Sequence, residues 1–277
     1  MPFSTSDGVR LWTATTGTAT SAVPVVILHG GPGLWDDHAA LAQMLDDLTV
    51  VHRFDQRGCG RSGPSDALSM RRLAQDIDEL RVYWGHERII VLGHSFGATL
   101  ALFYAASYPD HVAGVVYLDG VGIGDWRTPY HDEHLRRTTP AQRERLAALE
   151  VADRTADEEV EFRVLSWFTD HADRSMAMTW ARESASVDLP INFAANRALG
   201  TEITSWPPGY VSGLAAALPM RVTYIHGAGD PRPASAVREL AAHTPHHTFQ
   251  VIPDAGHSPW LEQPEAVRKL LRDIVTS

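Results

Sequence analysis

Cysteine is nearly missing from this chain: Cys59 stands alone among 277 residues. A lone thiol excludes an internal disulfide. No His, Cys and carboxylate group stands at metal-ligand spacing either, so no metal and no cofactor is expected. Cys59 itself reads as a small packed side chain rather than a nucleophile. Basic charge is also short. The chain has 24 Lys and Arg against 34 Asp and Glu, a net charge of −10, and nucleic-acid phosphates demand the opposite, so no nucleic-acid partner is expected. No apolar run reaches membrane-spanning length, and the first residues (MPFSTSDGVRLW) lack a basic stretch followed by an apolar one. A cytoplasmic protein without a membrane partner is the expectation. Internal repeats and low-complexity stretches are absent as well. What is present is 44% hydrophobic residues, enough in a chain of this length for one large core.

Those apolar residues fall into short runs separated by helical stretches. Runs at 25–28, 89–92, 112–118, 221–225 and 249–252 read as core strands, with outer strands at 9–15 and 50–54. Stretches at 68–84, 98–106, 235–242 and 265–274 read as helices. Strands alternating with helices predict an α/β fold with a mostly parallel sheet covered on both faces. Between 125 and 213 the rhythm changes. That segment is rich in Arg, Glu, Asp and Ala, carries Trp126, Trp167, Phe168, Trp180, Phe193 and Trp206, and spaces its apolar residues as helices do.

The most informative run is Val91-Leu92-Gly93-His94-Ser95-Phe96-Gly97. A buried strand feeds a G-x-S-x-G pentapeptide that passes directly into a helix, the layout of a turn that holds one serine hydroxyl above a sheet. Gly93 and Gly97 are required because a side chain at either place would strike the neighbouring strand or helix. A serine hydroxyl is a poor nucleophile unless a base takes its proton and a third group orients that base. The C-terminal third supplies both in the order this layout demands. Asp230 follows the strand at 221–225 in His226-Gly227-Ala228-Gly229-Asp230-Pro231. His257 follows the strand at 249–252 in Pro253-Asp254-Ala255-Gly256-His257-Ser258-Pro259. Carboxyl ends of parallel strands share one edge, so Ser95, Asp230 and His257 are expected to converge as a catalytic triad. Asp254 lies too close to His257 on the same loop to serve as its acid.

An oxyanion site is legible after the strand at 25–28, in His29-Gly30-Gly31-Pro32-Gly33. Backbone N–H groups aimed at the developing negative oxygen stabilise it by several kcal/mol. Pro32 has no N–H, so the expected donors are Gly31 and Phe96. Asp55 and Arg57 lie on a tight loop and read as structural hydrogen-bonding groups.

Together, HGGPG (29–33), DQRGCGRS (55–62), GHSFG (93–97), GAGD (227–230) and GHSPWLEQPE (256–265) resemble the α/β-hydrolase fold, and more narrowly the prolyl aminopeptidase (proline iminopeptidase) family. The resemblance covers nearly the whole chain outside 125–213. It implies a core formed by 1–124 and 214–277, a helical cap at 125–213 roofing the Ser95 cleft, and a small-molecule or short-peptide substrate with no cofactor. The cap aromatics are expected mainly in the cap's own core. In the family, cap carboxylates hold the free α-amino group of the substrate. Glu183 and Glu202 stand in similar contexts and are the expected substrate-binding pair, with Gly30 beside them at the oxyanion loop. At the elbow the chain carries His94 and Phe96 where that family has Gly and Trp, a form common in esterases and lactonases. Release of an N-terminal residue therefore leads, with a small neutral ester or lactone as the alternative, and a small-molecule receptor or silent relative as the reading from another class.

Overall fold

The structure, a computed structural model, describes residues 3–18, 20 and 22–276. Among the described residues nine strands occur in chain order: β1 (Phe3–Ser4), β2 (Arg10–Leu11), β3 (Thr13–Thr16), β4 (Val25–Leu28), β5 (Val51–Phe54), β6 (Ile89–His94), β7 (Val112–Leu118), β8 (Arg221–Gly227) and β9 (His247–Ile252). β1 and β2 form a small antiparallel ladder. The other seven make one sheet in the order β3-β5-β4-β6-β7-β8-β9. Only β3 runs antiparallel to its neighbour, so the expected mostly parallel sheet is present.

Alternation within the buried strands explains why both faces are covered. Val26, Leu28, Val91, Val115, Tyr117, Val222 and Tyr224 point into one buried cluster, with the helices Met70–Tyr83, Phe96–Ser107 and Ala234–Ala241. Val25, Ile27, Ile90, Leu92, Val116 and Ile225 point into another, shared with Leu41, Leu45 and the helix Pro264–Val275. Successive side chains leave opposite faces of a strand, so runs apolar at every position must be buried twice.

The outer strand expected at 9–15 is broken at Trp12. Its N–H donates to Ser62 Oγ at 2.9 Å, and its ring lies under the Arg61 guanidinium at 3.2 Å. A neighbouring loop thus takes the donor that a continuous ladder would have used.

Between β7 and β8 the chain makes six α-helices: Arg127–Arg137, Pro140–Val151, Ala156–Trp167, Ala177–Ala185, Phe193–Ser205 and Tyr210–Ala216. Three of these, Pro140–Val151, Ala156–Trp167 and Ala177–Ala185, pack around a separate apolar cluster containing Leu149, Val164, Leu165, Phe168, Ala177, Ala181 and Ala185. The last helix crosses the boundary expected at 213, because Ala215 is buried against the main core rather than in the cap. Among the described residues no helix is long and apolar enough to cross a membrane.

Candidate active site

Ser95 sits between β6 and the helix Phe96–Ser107 at φ 56° and ψ −120°. A non-glycine residue holds such a conformation only where its surroundings over-determine it. Here the surroundings are backbone. A Cβ on Gly93 would lie 2.0 Å from the Gly97 carbonyl oxygen, and a Cβ on Gly97 would lie 2.2 Å from that of Leu28. The Ser95 N–H donates to the Leu118 carbonyl at 2.9 Å, which locks the turn to β7.

Asp230 and His257 meet as expected. His257 Nδ1 lies 2.6 Å from Asp230 Oδ2, and both residues are buried. The Asp230 carboxyl is held well below the usual carboxylate range: burial alone would raise it, but the charges of His257 and Arg232 outweigh that. Arg232 reaches Asp230 Oδ1 at 3.2 Å and Asp170 Oδ1 at 2.9 Å. Its guanidinium, over the ring of Tyr130, forms part of the wall around Ser95. Asp254 is exposed, in keeping with its rejection as the acid.

A second buried carboxyl stands beside this pair. Asp119, at φ 46° directly after β7, accepts from the Gly227 N–H at 2.7 Å and has no solvent exposure. Burial and the neighbouring Asp230 charge push its carboxyl well above the ordinary range. His226 Nδ1 lies 3.5 Å from it, and His226 Nε2 is engaged by the Arg232 carbonyl at 2.9 Å. Asp119, His226 and Asp230 thus form a compact group of possible metal ligands. Spacing in the sequence gave no sign of it, because the three come from the ends of two adjacent strands.

Besides the Arg232–Asp170 pair, three latches join this rim to the cap. The His257 N–H donates to the Asp170 carbonyl at 2.8 Å. Glu262, buried, accepts from Gly256 N–H at 2.8 Å with one oxygen and from Ala172 and Asp173 N–H at 2.8 and 2.9 Å with the other. Arg137 donates to the carbonyls of Thr169, His171 and Gly229. Glu262 belongs to the GHSPWLEQPE run, but its cap partners Ala172 and Asp173 lie 90 and 89 residues away, so the sequence marked the motif without that contact.

Ser95 lies where two cavities meet, of about 830 Å³ and about 290 Å³. Gly31, Ser95 and Arg232 line both. Phe96 lines only the wide one; Gly30, His94 and His257 line only the narrow one. As the first residue of its helix, Phe96 has an N–H without an intrahelical partner. Gly30 is close enough that a Cβ there would lie 3.0 Å from Ser95 Cβ.

The expected carboxylate pair is corrected. Glu183 is exposed and lies on an outer cap depression with Met178, Thr179, Arg182 and Ser186, while Ala181 and Ser184 of the same helix face the narrow cavity. Glu202 Oε2 accepts from Met70 N–H at 2.9 Å, at the N-terminus of Met70–Tyr83, whose positive end favours a carboxylate. Neither lines the cleft. The aromatics divide: Phe168 is in the cap core, whereas Trp126 and Trp206 wall the wide cavity and Trp167 the narrow one. Arg57 is fully buried on Asp76, and Asp55 accepts from Asp36 N–H and Arg61, both structural as expected. Cys59 is buried, and burial with the Asp55 charge pushes its thiol up to about 12, which leaves it inert.

Among curated proteins, a stretch of 97 residues is 38% identical to proline iminopeptidase from Neisseria gonorrhoeae; it spans 34% of this chain and 31% of that one. The match therefore covers about a third of the relative's length. Solved structures, two of which follow, resemble nearly the whole chain. An esterase from Thermogutta terrifontis superposes with a TM-score of 0.73 at 24% identity, covering 99% of this chain and 96% of that one. The proline iminopeptidase of Mycobacterium smegmatis gives 0.69 at 21% identity, covering 97% and 95%. A family profile described as alpha/beta hydrolase fold matches residues 23–264, most of the chain. This chain, with its parallel sheet, its serine elbow and its helical insertion before the acid strand, belongs to the alpha/beta hydrolase fold family.

Proposed function

We propose that the chain is a serine hydrolase that cleaves a small carboxylic ester or amide through an acyl-enzyme on Ser95, without a cofactor. The observation that carries this reading is the 2.6 Å Asp230–His257 bond beside the strained serine turn, with Ser95 and His257 facing one cavity. Asp230, ionised, fixes the His257 ring with its Nδ1–H bonded and its Nε2 free to act as base. Ser95 Oγ then forms a bond to the substrate carbonyl carbon as its proton passes to His257 Nε2. The Gly31 and Phe96 N–H groups take the oxyanion. As the carbon–leaving-group bond breaks, His257 returns the proton to the leaving oxygen or nitrogen. Water repeats the sequence: its proton goes to His257, its hydroxyl to the acyl carbon, and Ser95 recovers its proton.

A second reading, release of an N-terminal proline or similar residue, is supported by the 38% identical stretch shared with proline iminopeptidase. The substrate ammonium then needs a carboxylate in the cleft to offset its desolvation. With Glu183 and Glu202 elsewhere, the wide cavity offers Glu239 and the narrow one Asp37 and Asp170. Parallel rates on 4-nitrophenyl butyrate and proline 4-nitroanilide, with Ser95→Ala as the blank, test the proposal. Turnover of either, lost in the blank and unaffected by a chelator, is expected. Turnover of proline 4-nitroanilide at a kcat/KM above that of the ester selects the second reading. Turnover that persists in Ser95→Ala refutes both.

A further inference from the structure

We propose that the two cavities meeting at Ser95 divide the substrate: the acyl group occupies the wide one and the leaving group the narrow one, so that preferred substrates join a bulky apolar acyl group to a small leaving group. This rests on the serine-hydrolase reading above.

The direction follows from which catalytic group faces which space. An imidazole that carries the serine proton must hand it to the leaving atom, so the leaving group lies on the His257 side. His257 lines only the narrow cavity. With the carbonyl oxygen held by the Gly31 and Phe96 N–H groups, the remaining substituent of the carbonyl carbon points away from the imidazole. That is into the wide cavity, whose wall includes Phe96 and excludes His257.

The walls then set chemistry and size. The wide cavity, about 830 Å³, is faced by Val121, Ile123, Trp126, Ile203, Trp206 and Tyr210, apolar and aromatic side chains that suit an aryl or long alkyl acyl group. The narrow cavity, about 290 Å³, falls at the bottom of the range that holds drug-sized ligands. It presents Asp37, His38 and Asp170 beside Trp35 and Trp167, so it suits a small polar-tipped alcohol or amine. The His38 ring is buried, with Nδ1 3.0 Å from Asp37 Oδ1 and Nε2 lacking a hydrogen-bond partner in the described structure, which leaves Nε2 available to such a group.

Two isomeric reversed esters test the division. Methyl 4-phenylbutanoate has the bulky acyl group and the small leaving group; 3-phenylpropyl acetate has the reverse. The wild-type ratio of their kcat/KM values, followed by acid release, should favour methyl 4-phenylbutanoate by about tenfold or more, the discrimination expected when several methylenes are rejected. Gly200 lines the wide cavity and an added Cβ meets nothing within 4 Å; Ser184 lines the narrow one. Gly200→Trp should lower the ratio about tenfold, and Ser184→Trp should raise it. Because both esters are measured on the same protein, loss of folded enzyme cancels from each ratio. A wild-type preference for 3-phenylpropyl acetate, or a ratio that rises in Gly200→Trp and falls in Ser184→Trp, overturns the division while leaving the hydrolase reading intact. Failure to hydrolyse either ester, together with no labelling of Ser95 by a fluorophosphonate, overturns the hydrolase reading itself.

Discussion

The sheet rim and the cap solve the problem of placing side chains in different ways. At the rim, each candidate catalytic group follows a strand whose neighbours are fixed by backbone hydrogen bonds: Ser95 after β6, Asp119 after β7, Asp230 after β8 and His257 after β9. Their positions are set within a core buried on both faces. The cap has only a small apolar cluster of its own. The Arg145–Glu161 ion pair ties two of its helices at the surface, where solvent screens it and it contributes little. It meets the rim through a few specific contacts, of which Glu262 is the best satisfied. On the proposed hydrolase reading, rigid groups are therefore concentrated where bonds would change, and adjustable ones where the substrate would be chosen.

The largest effect that sharpens this contrast belongs to the rim. His257→Ala should lower kcat by several powers of ten at nearly unchanged stability, since the base is lost and the sheet is not. A loss below tenfold, measured on a 4-nitrophenyl ester, would break the rim account.

Next comes the junction. Glu262→Ala removes the acceptor of three backbone N–H groups and leaves them poorly paired, which should cost about 1–3 kcal/mol in urea unfolding. It should also lower kcat, because Gly256 adjoins His257. Stability loss with full activity would show that the latch does not position the histidine loop.

Asp119 gives a smaller, pH-dependent effect. Its folded-state pKa is raised, by burial first and by the Asp230 charge second. The folded protein therefore holds a proton that the unfolded chain releases as pH rises above the ordinary Asp value, so this group lowers stability with increasing pH. Asp119→Asn should raise the melting temperature more at pH 8 than at pH 4. An equal shift at both would mean that the carboxyl titrates normally.

The smallest effects are expected at the two cap carboxylates. Glu202→Gln should cost about 0.3–1 kcal/mol through the weakened helix-terminus interaction, and Glu183→Gln should stay within about 0.5 kcal/mol. Neither should change KM for proline 4-nitroanilide. A rise of tenfold or more in the Glu183 variant would contradict its outward placement.

The same contrast explains how much could be read from residues alone. The strand runs at 25–28 and 112–118 coincide with β4 and β7, and the elbow, acid and base all follow strands foreseen from short apolar runs. Such runs carry their own meaning, because a segment apolar at every position has few places to go. Helical periodicity in the cap revealed which segments are helices. It could not reveal that the face of Ala177–Ala185 bearing Ala181 and Ser184 turns toward Ser95 and the face bearing Glu183 turns away. Glu202 is a sharper case, since its partner Met70 lies 132 residues earlier and no local pattern marks it. Asp119 and His226 were visible only as strand ends. Their approach to Asp230 depends on β7 lying beside β8.

The central claim is that the rim supplies one activated serine. Incubation with a fluorophosphonate followed by peptide mass mapping tests it directly. The account predicts one adduct per chain, on Ser95, with labelling abolished in Ser95→Ala and slowed by orders of magnitude in His257→Ala. Labelling of wild type at another residue, or equal labelling rates in wild type and His257→Ala, would contradict it.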